Sequence, residues 1–136
     1  MKLITRDTDY AIRALCYIAK KGESIASVND LVVCLKMPRA FLRKILQRLN
    51  NGRVLKSYKG RGGGFSLSKA PDKIHIMDLI EIFQGPLSLQ EHVFSGRPCP
   101  EIKKCLFKKK LDVIEKHIIS NLSSITLESL LDKNAR

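Results

Sequence analysis

A short glycine-rich turn between two apolar-alternating segments constrains the fold of this chain more than any other feature. The turn runs from Lys59 to Gly64, within residues 54–68, and contains four glycines. Glycine tolerates positive φ angles, so three consecutive glycines allow a hairpin to bend tightly. Lys59 and Arg61 place two cations at the tip. The pattern predicts a narrow, cationic β-hairpin.

Three helices are predicted ahead of this hairpin. Apolar residues recur at helical spacing over residues 8–21, 27–35 and 37–49. Ser27 and Asp30 have the spacing of a capping box at the start of the second helix. Two helices joined by a tight turn and followed by a hairpin predict a winged helix-turn-helix.

The third helix has one polar, cationic face. On a helical wheel at about 100° per residue, this face lies opposite the apolar stripe. Arg43 and Gln47 can hydrogen-bond base edges, whereas Lys36 and Lys44 are better suited to phosphates. A solvated face would look similar by itself, but a neighbouring glycine-rich hairpin favours insertion into the major groove, with the hairpin tip in the minor groove. The candidate DNA-contacting residues are Lys36, Arg39, Ala40, Arg43, Lys44, Gln47, Lys59 and Arg61.

The charge distribution indicates a polyanionic partner. The net charge is +12, and residues 1–75 hold 16 Lys and Arg against 5 Asp and Glu, whereas residues 76–136 hold 9 against 8. Such a localised excess fits double-stranded DNA, because neutralising phosphates releases counterions. A merely basic surface would spread the charge more evenly. RNA fits the charge too, but aromatic residues are only 6% and no stacking platform is visible.

Length and composition indicate one globular, cytoplasmic protein. A chain of 136 residues with 44% hydrophobic residues can build one core. It has no run of eighteen apolar residues to cross a bilayer, and its first residues lack the apolar core of a secretion signal. The turn lacks the Gly-Lys-Ser/Thr ending of a phosphate-binding loop, and no catalytic spacing of Ser, His and Asp appears. We therefore expect no membrane association and no enzyme.

The C-terminal half is predicted to contain a short helix over residues 77–84, a loop over 87–100 and a long helix over 102–122. The long helix carries an apolar seam, which is expected to be covered by another apolar surface. The same helix of a second subunit would give a homodimer that presents two recognition helices to a palindromic operator. Packing within the monomer is the alternative. The seam residues are Phe107, Leu111, Ile114, Ile118 and Leu122.

These elements predict a mainly α fold with a small β-hairpin, built as a winged helix-turn-helix plus a long C-terminal dimerisation helix. Residues 1–75 would bind DNA, residues 76–104 would form a short helix and a cysteine-containing loop, and residues 105–136 would form the dimerisation helix and tail.

The four cysteines are not expected to form structural disulfides in a reducing compartment. Cys16 and Cys34 lie among apolar neighbours in predicted helices, so we interpret them as small hydrophobic residues. Cys99 and Cys105 belong to the loop and its far edge. Zinc is disfavoured there because no second cysteine pair is present. A reversible disulfide between the two is sterically possible and would make a redox switch.

Six segments spread along the chain match a known family. They are Met1 to Leu3, Tyr10 to Leu15, Phe41 to Leu49, Gly60 to Phe65, Asp78 to Glu81, and Gly85 with Pro86. Through them the chain resembles the winged-helix transcription regulators that include the iron-sulfur cluster regulator, the nitric-oxide-sensing repressor and the cysteine-metabolism repressor. The resemblance implies a dimer that binds palindromic DNA. In the iron-sulfur cluster regulator an acidic residue at the position of Arg43 sorts two classes of DNA site, so that selectivity is not expected here.

The resemblance also implies an iron-sulfur cluster in the loop after the fourth helix. Cys99 and Cys105 match the second and third of three family cysteines, but the first is absent. His92 lies near its place and can ligate iron. Asp9 matches an acidic residue that reaches the partner's cluster in some members, although a carboxylate stabilised by the helix dipole is the alternative. The implied cofactor is a 2Fe-2S cluster on these four residues, and a thiol switch or a cofactor-free regulator under a partner protein's control are the alternatives.

Overall fold

A computed structural model describes residues 2–90, 93–94, 97–98, 100–101 and 103–131 of the chain. The predicted class, mainly α with a small β-hairpin, is confirmed. The elements in chain order are α1 (Arg6–Lys20), α2 (Val28–Leu35), α3 (Arg39–Asn51), β1 (Leu55–Tyr58), β2 (Gly64–Leu67), a 3₁₀ turn (Pro71–Lys73), α4 (Ile76–Gln84), β3 (Val93–Phe94), β4 (Arg97–Pro98), α5 (Leu106–Ser123) and α6 (Leu127–Leu130).

Side-chain caps set where the first two helices begin. Helix α1 starts two residues earlier than predicted, because the Thr5 hydroxyl accepts a hydrogen bond from the Thr8 backbone N–H at 3.4 Å. The capping box of α2 is confirmed: the Ser27 hydroxyl accepts from the Asp30 N–H at 3.0 Å, and the Asp30 carboxylate accepts from the Ser27 N–H at 3.2 Å. A hydrogen bond from Lys21 lowers the pKa of the Asp30 carboxyl. These bonds satisfy N–H groups that have no partner inside the helix.

The helices enclose one hydrophobic core. The stripe predicted on α3 is the face that is buried, and α1 and α4 pack against it. Leu127 of α6 joins the core with no exposed surface. Its position is fixed by backbone pairing, in which the Leu127 N–H donates to the Ile74 carbonyl at 2.8 Å and the Ile76 N–H donates to the Ile125 carbonyl at 3.0 Å. The largest fully buried side chains include Leu15, Ile18, Leu31, Leu42, Leu46, Leu49, Leu79 and Ile80.

The hairpin is fixed to the helical core through the segment that precedes α2. Strands β1 and β2 are antiparallel, with Leu55 opposite Leu67. The Phe65 N–H donates to the Ala26 carbonyl at 2.8 Å, and the Ala26 N–H donates back to the Phe65 carbonyl at 2.9 Å. Ala26 thus pairs with β2 on the side away from β1, and this pairing holds the hairpin beside α2 and α3.

A buried polar network holds the start of α1 against the end of α4. The Gln84 side-chain carbonyl accepts from the Thr8 hydroxyl at 2.7 Å and from the Thr5 N–H at 3.0 Å, and the Gln84 amide donates to the Leu3 carbonyl at 3.0 Å. Thr8 is fully buried. Because a buried hydroxyl without a partner costs about 1–3 kcal/mol, this network specifies how the two helix ends meet.

The C-terminal half differs from the sequence-based prediction at two places. Helix α5 begins at Leu106 and not at residue 102, because Cys105 is its N-cap and the Cys105 sulfur accepts from the Lys108 N–H at 3.4 Å. The predicted loop over 87–100 includes the short antiparallel strands β3 and β4. None of the described helices combines the length and apolar character that a bilayer crossing requires.

The predicted seam of α5 divides into two parts. Near the C-terminal end, Leu122 of the seam packs against the core together with its neighbour Ile119. Toward the N-terminal end, two seam residues and two of their neighbours remain in solvent within the described chain, and we call these four side chains the exposed α5 face. They are Leu106 at 71% exposure, Phe107 at 67%, Val113 at 55% and Ile114 at 49%.

The interpretation of Cys16 and Cys34 as hydrophobic residues holds for only one of them. Cys16 is half-buried, and burial raises the pKa of its thiol. Cys34 is exposed, so the prediction is wrong there. Leu31 is the one buried residue that the eight-residue α2 contributes, and Cys34, in the last turn of this helix, hydrogen-bonds to Tyr17 and raises the pKa of Tyr17.

Candidate nucleic-acid interface

Helix α3 presents an exposed ridge opposite its buried stripe. The ridge consists of Ala40, Arg43, Lys44 and Gln47, and all four are exposed. In the described part of the chain, Arg43 and Lys44 make no ion pair, so the ridge keeps its positive charge. A helix with a cationic outer face has the dimensions to enter a DNA major groove.

On one side of the ridge lies a groove of about 500 Å³ between α3, the start of α2 and the hairpin; we call it the wing groove. Arg39 and Arg43 both line it. The Arg39 guanidinium donates to the Asn29 side-chain carbonyl, which orients it from the neighbouring helix. The Gln47 amide donates to the Asn51 side chain at 3.4 Å. Lys36 is exposed in a left-handed conformation with φ 55°, where it ends α2.

The hairpin tip carries Lys59 and Arg61 into solvent. Three of its four glycines have positive φ angles, 87° at Gly60, 77° at Gly62 and 155° at Gly64. Gly63 is required for a different reason, because a Cβ there would lie 2.2 Å from the Tyr58 carbonyl oxygen. The glycines therefore serve both turn geometry and close backbone approach.

On the other side of the ridge lies a groove of about 510 Å³, which we call the second groove. Two arginines stack on its aromatic walls: the Arg6 guanidinium lies 5.2 Å from the Phe41 ring centroid, and the Arg48 guanidinium lies 4.9 Å from that of Phe83. Lys44 of the ridge also lines it. No sequence pattern indicates Arg6 or Arg48 as binding residues, because the groove is formed by α1, α3 and α4, which are far apart in the chain.

Two of the four predicted metal ligands lie among the residues that the structure describes. Cys99 and His92 lie outside the described residues. Cys105 is half-buried at the start of α5. Asp9 lies in the first turn of α1, where its carboxylate pairs with the Arg13 guanidinium at 3.1 Å. The described residues contain no group of three His, Cys, Asp or Glu side chains that could hold a metal ion.

The known proteins that this chain resembles in sequence are transcriptional regulators. The family model Rrf2, described as an iron-dependent transcriptional regulator, matches residues 4–133. A helix-turn-helix-type transcriptional regulator of Aquifex aeolicus is 32% identical over 125 residues, which cover 90% of this chain and 87% of the relative.

Solved structures show the same fold. CymR, the global cysteine regulator of B. subtilis, superimposes with a TM-score of 0.75 at 28% identity, covering 96% of both chains. IscR of T. potens superimposes with a TM-score of 0.73 at 22% identity, covering 96% of this chain and 85% of that one. With its winged helix-turn-helix and this match along nearly its whole length, the chain belongs to the Rrf2 family of DNA-binding transcriptional regulators, which are not enzymes.

Proposed function

We propose that the protein is a homodimeric repressor or activator that inserts the α3 ridge into the major groove and the hairpin tip into the minor groove of a palindromic operator. The observation that carries this proposal is that the ridge and the tip are exposed, make no ion pair with any described residue and line one common groove. Arg43 and Gln47 would read base edges. Lys36, Arg39, Lys44, Lys59 and Arg61 would contact the backbone, with Ala40 allowing close approach to the base edges.

Substitutions at the ridge and the tip are expected to behave differently. Arg43→Ala should reduce discrimination between operator and mutated operator by about 1–3 kcal/mol, because a base contact is lost. Lys59→Ala or Arg61→Ala should weaken binding to all duplexes and reduce the slope of log K against log salt by about one unit per protomer. Duplex titrations at several salt concentrations measure both effects. Equal effects from the two kinds of variant would show that the groove assignment is wrong, and preference for single-stranded RNA over duplex would refute DNA recognition.

We propose that the three segments of the chain have separate roles. Residues 1–75 bind DNA, residues 76–104 form the short helix and the cysteine-containing loop, and residues 105–136 pair two protomers. The exposed α5 face supports the last step, since four large apolar side chains in solvent are typical of an interface. A two-fold pairing would place two ridges on one palindrome.

For the signal, we propose a 2Fe-2S cluster with Cys99 and Cys105 as thiolate ligands and Asp9 and His92 as the oxygen and nitrogen donors. Thiolates with non-cysteine donors form a ligand set that iron-sulfur clusters accept, and such donors shift the redox potential. The family description, iron-dependent, supports iron as the metal. Cys105 is half-buried at a helix start and accepts only one backbone N–H bond in the described chain, so its sulfur remains available. Recruiting Asp9 would break its ion pair with Arg13.

A cluster regulates DNA binding only if it interacts differently with two arrangements of the protomers. Such coupling typically amounts to about 1–3 kcal/mol, or a 5- to 150-fold change in affinity. The second candidate is a reversible disulfide between Cys99 and Cys105, favoured by the presence of only these two cysteines in that segment. The third is regulation by a partner protein at the exposed α5 face, without a cofactor.

An anaerobic preparation separates these candidates. If the cluster is present, the protein should be coloured and contain iron and sulfide, and Cys99→Ala or Cys105→Ala should bleach it. Cys34→Ala, which removes an exposed cysteine elsewhere, should retain the colour. Colourless, iron-free protein would refute the cluster. Loss of two free thiols on oxidation would then identify the disulfide, and an unchanged thiol count with a stoichiometric partner in a pull-down would identify the partner protein.

A further inference from the structure

We propose that in each half-site the second groove binds the sugar-phosphate backbone of the DNA strand that the same protomer's hairpin does not contact, with Arg6 as a phosphate ligand. This inference rests on the proposed function, in which the α3 ridge lies in a major groove. It adds a contact from the start of α1, a helix that sequence analysis did not connect with DNA.

The position of the groove follows from the helical wheel of α3. At about 100° per residue, Arg39 and Arg48 fall on opposite sides of the ridge. Arg39 lines the wing groove and Arg48 lines the second groove. A DNA major groove is about 12 Å wide and has one phosphodiester backbone along each edge. A ridge inserted into it therefore has one backbone beside each of the two protein grooves.

The chemistry of the second groove suits phosphate. The Arg6 guanidinium lies over the Phe41 ring and makes no ion pair within the described residues, so its N–H groups are available to a ligand. The Arg48 guanidinium lies over the Phe83 ring, and one of its N–H groups donates to the Ile82 carbonyl. A planar guanidinium with free N–H groups binds phosphate through two parallel hydrogen bonds.

The charge of the groove also fits a polyanion. Its lining contains Arg6, Lys44 and Arg48 against the single carboxylate of Asp7. No ion pair joins these cations to a carboxylate in the described part of the chain. A volume of about 510 Å³ admits a segment of backbone and not only a small ion. The polar network around Gln84 holds α1 and α4 together, so the wall that carries Arg6 is rigid.

Helix α1 contains a matched control for Arg6. Arg13 lies seven residues further along the same helix, and its guanidinium is also stacked on an aromatic ring, 5.9 Å from the centroid of Tyr10. Unlike Arg6, it is neutralised by the Asp9 carboxylate at 3.1 Å, and the two variants are compared without a bound cluster, because a cluster that recruits Asp9 would release Arg13. Arg6→Gln and Arg13→Gln thus remove the same charge and the same kind of stacking, but only the first removes an unpaired cation from the second groove.

The test uses the full chain and a duplex selected by the wild-type protein from a random-sequence library. Arg6→Gln should reduce the slope of log K against log salt by about one unit per protomer, whereas Arg13→Gln should leave it unchanged. Phosphate ethylation interference should show contacts on both strands for the wild type. Within one half-site, Arg6→Gln should lose interference on one strand and Lys59→Ala on the other, and the two-fold axis should exchange the two strands in the second half-site. Thermal unfolding should show that both glutamine variants remain folded.

Several outcomes would overturn the inference. They are an unchanged salt slope for Arg6→Gln, equal slopes for the two glutamine variants, and, within one half-site, loss of interference on the same strand that Lys59→Ala affects. Competition by inorganic phosphate at constant ionic strength, lost in Arg6→Gln while the salt slope is unchanged, would assign the groove to a small anion. A lower oligomeric mass of Arg6→Gln would assign it to a second copy of the chain. If the wild type selects no duplex at all, the proposed function itself fails, and this result is distinct from the others.

Discussion

Replacing Ile114 by aspartate is expected to convert a dimer into monomers and to weaken operator binding by about 10²- to 10⁴-fold. The loss arises because a dimer binds its second half-site as an intramolecular event, and this advantage disappears in a monomer. Ile114 lies on the exposed α5 face with Phe107 and Val113. A carboxylate forced into an apolar interface would lose its hydration without gaining a partner. Since Ile114 is 49% exposed in the single chain, the fold of the monomer should be retained.

Sedimentation equilibrium and operator titration measure the two expected effects. Val33→Asp is the matched control for association, because Val33 is also an aliphatic residue in solvent, at 73% exposure, but lies on α2. It should leave the dimer intact. A dimeric Ile114→Asp protein would show that α5 does not pair the protomers, and a monomeric wild type would refute the homodimer.

The helices were predictable from the sequence because the residues that define each helix lie close together in the chain. The stripe on α3 contains Leu42, Leu46 and Leu49 at helical spacing, and all three are buried. Ser27 and Asp30 lie three residues apart and form the predicted capping box. Such signals depend only on neighbours within one or two turns.

The second groove was not predictable, because it depends on contacts between distant parts of the chain. Arg6 and Phe41 are 35 residues apart in the sequence, and nothing near either one indicates that they stack. The same is true of Gln84, whose side chain reaches back to Thr5 and Thr8. Periodicity shows which face of a helix is buried, but it does not show which other helix covers it.

The apolar seam of α5 shows a related limit. Periodicity assigned Phe107, Ile114 and Leu122 to one continuous seam, but only Leu122 contacts the core of its own chain. The monomer-core alternative therefore describes only the C-terminal part of the helix, and the partner alternative stays a prediction for the exposed part. A pattern of apolar residues has the same appearance whether the covering surface belongs to the same chain or to another one.

Gly64→Ala, at the end of the glycine-rich turn, is expected to destabilise the folded hairpin by about 1–3 kcal/mol. It is also expected to weaken operator binding at least about 100-fold. A Cβ at Gly64 would lie 2.3 Å from the Ala26 carbonyl oxygen, which is backbone and cannot rotate away. That oxygen accepts the Phe65 N–H at 2.8 Å, so relieving the clash would break the pairing that holds the hairpin to the core. Displacement of the hairpin would also withdraw Lys59 and Arg61, which in a dimer amounts to four cationic contacts.

Gly64 also has a positive φ angle, 155°, and Gly62→Ala separates the cost of such an angle from that of the close approach. Gly62 has φ 77°, but a Cβ there would meet nothing within 4 Å. Its substitution should cost only the left-handed conformation, about 1–2 kcal/mol confined to the tip, and should leave the Ala26–Phe65 pairing in place. Hydrogen exchange at the Phe65 amide measures this directly: it should accelerate in Gly64→Ala and remain slow in Gly62→Ala. If the two variants exchange at the same rate and bind the operator equally, the contact with Ala26 does not position the hairpin for DNA.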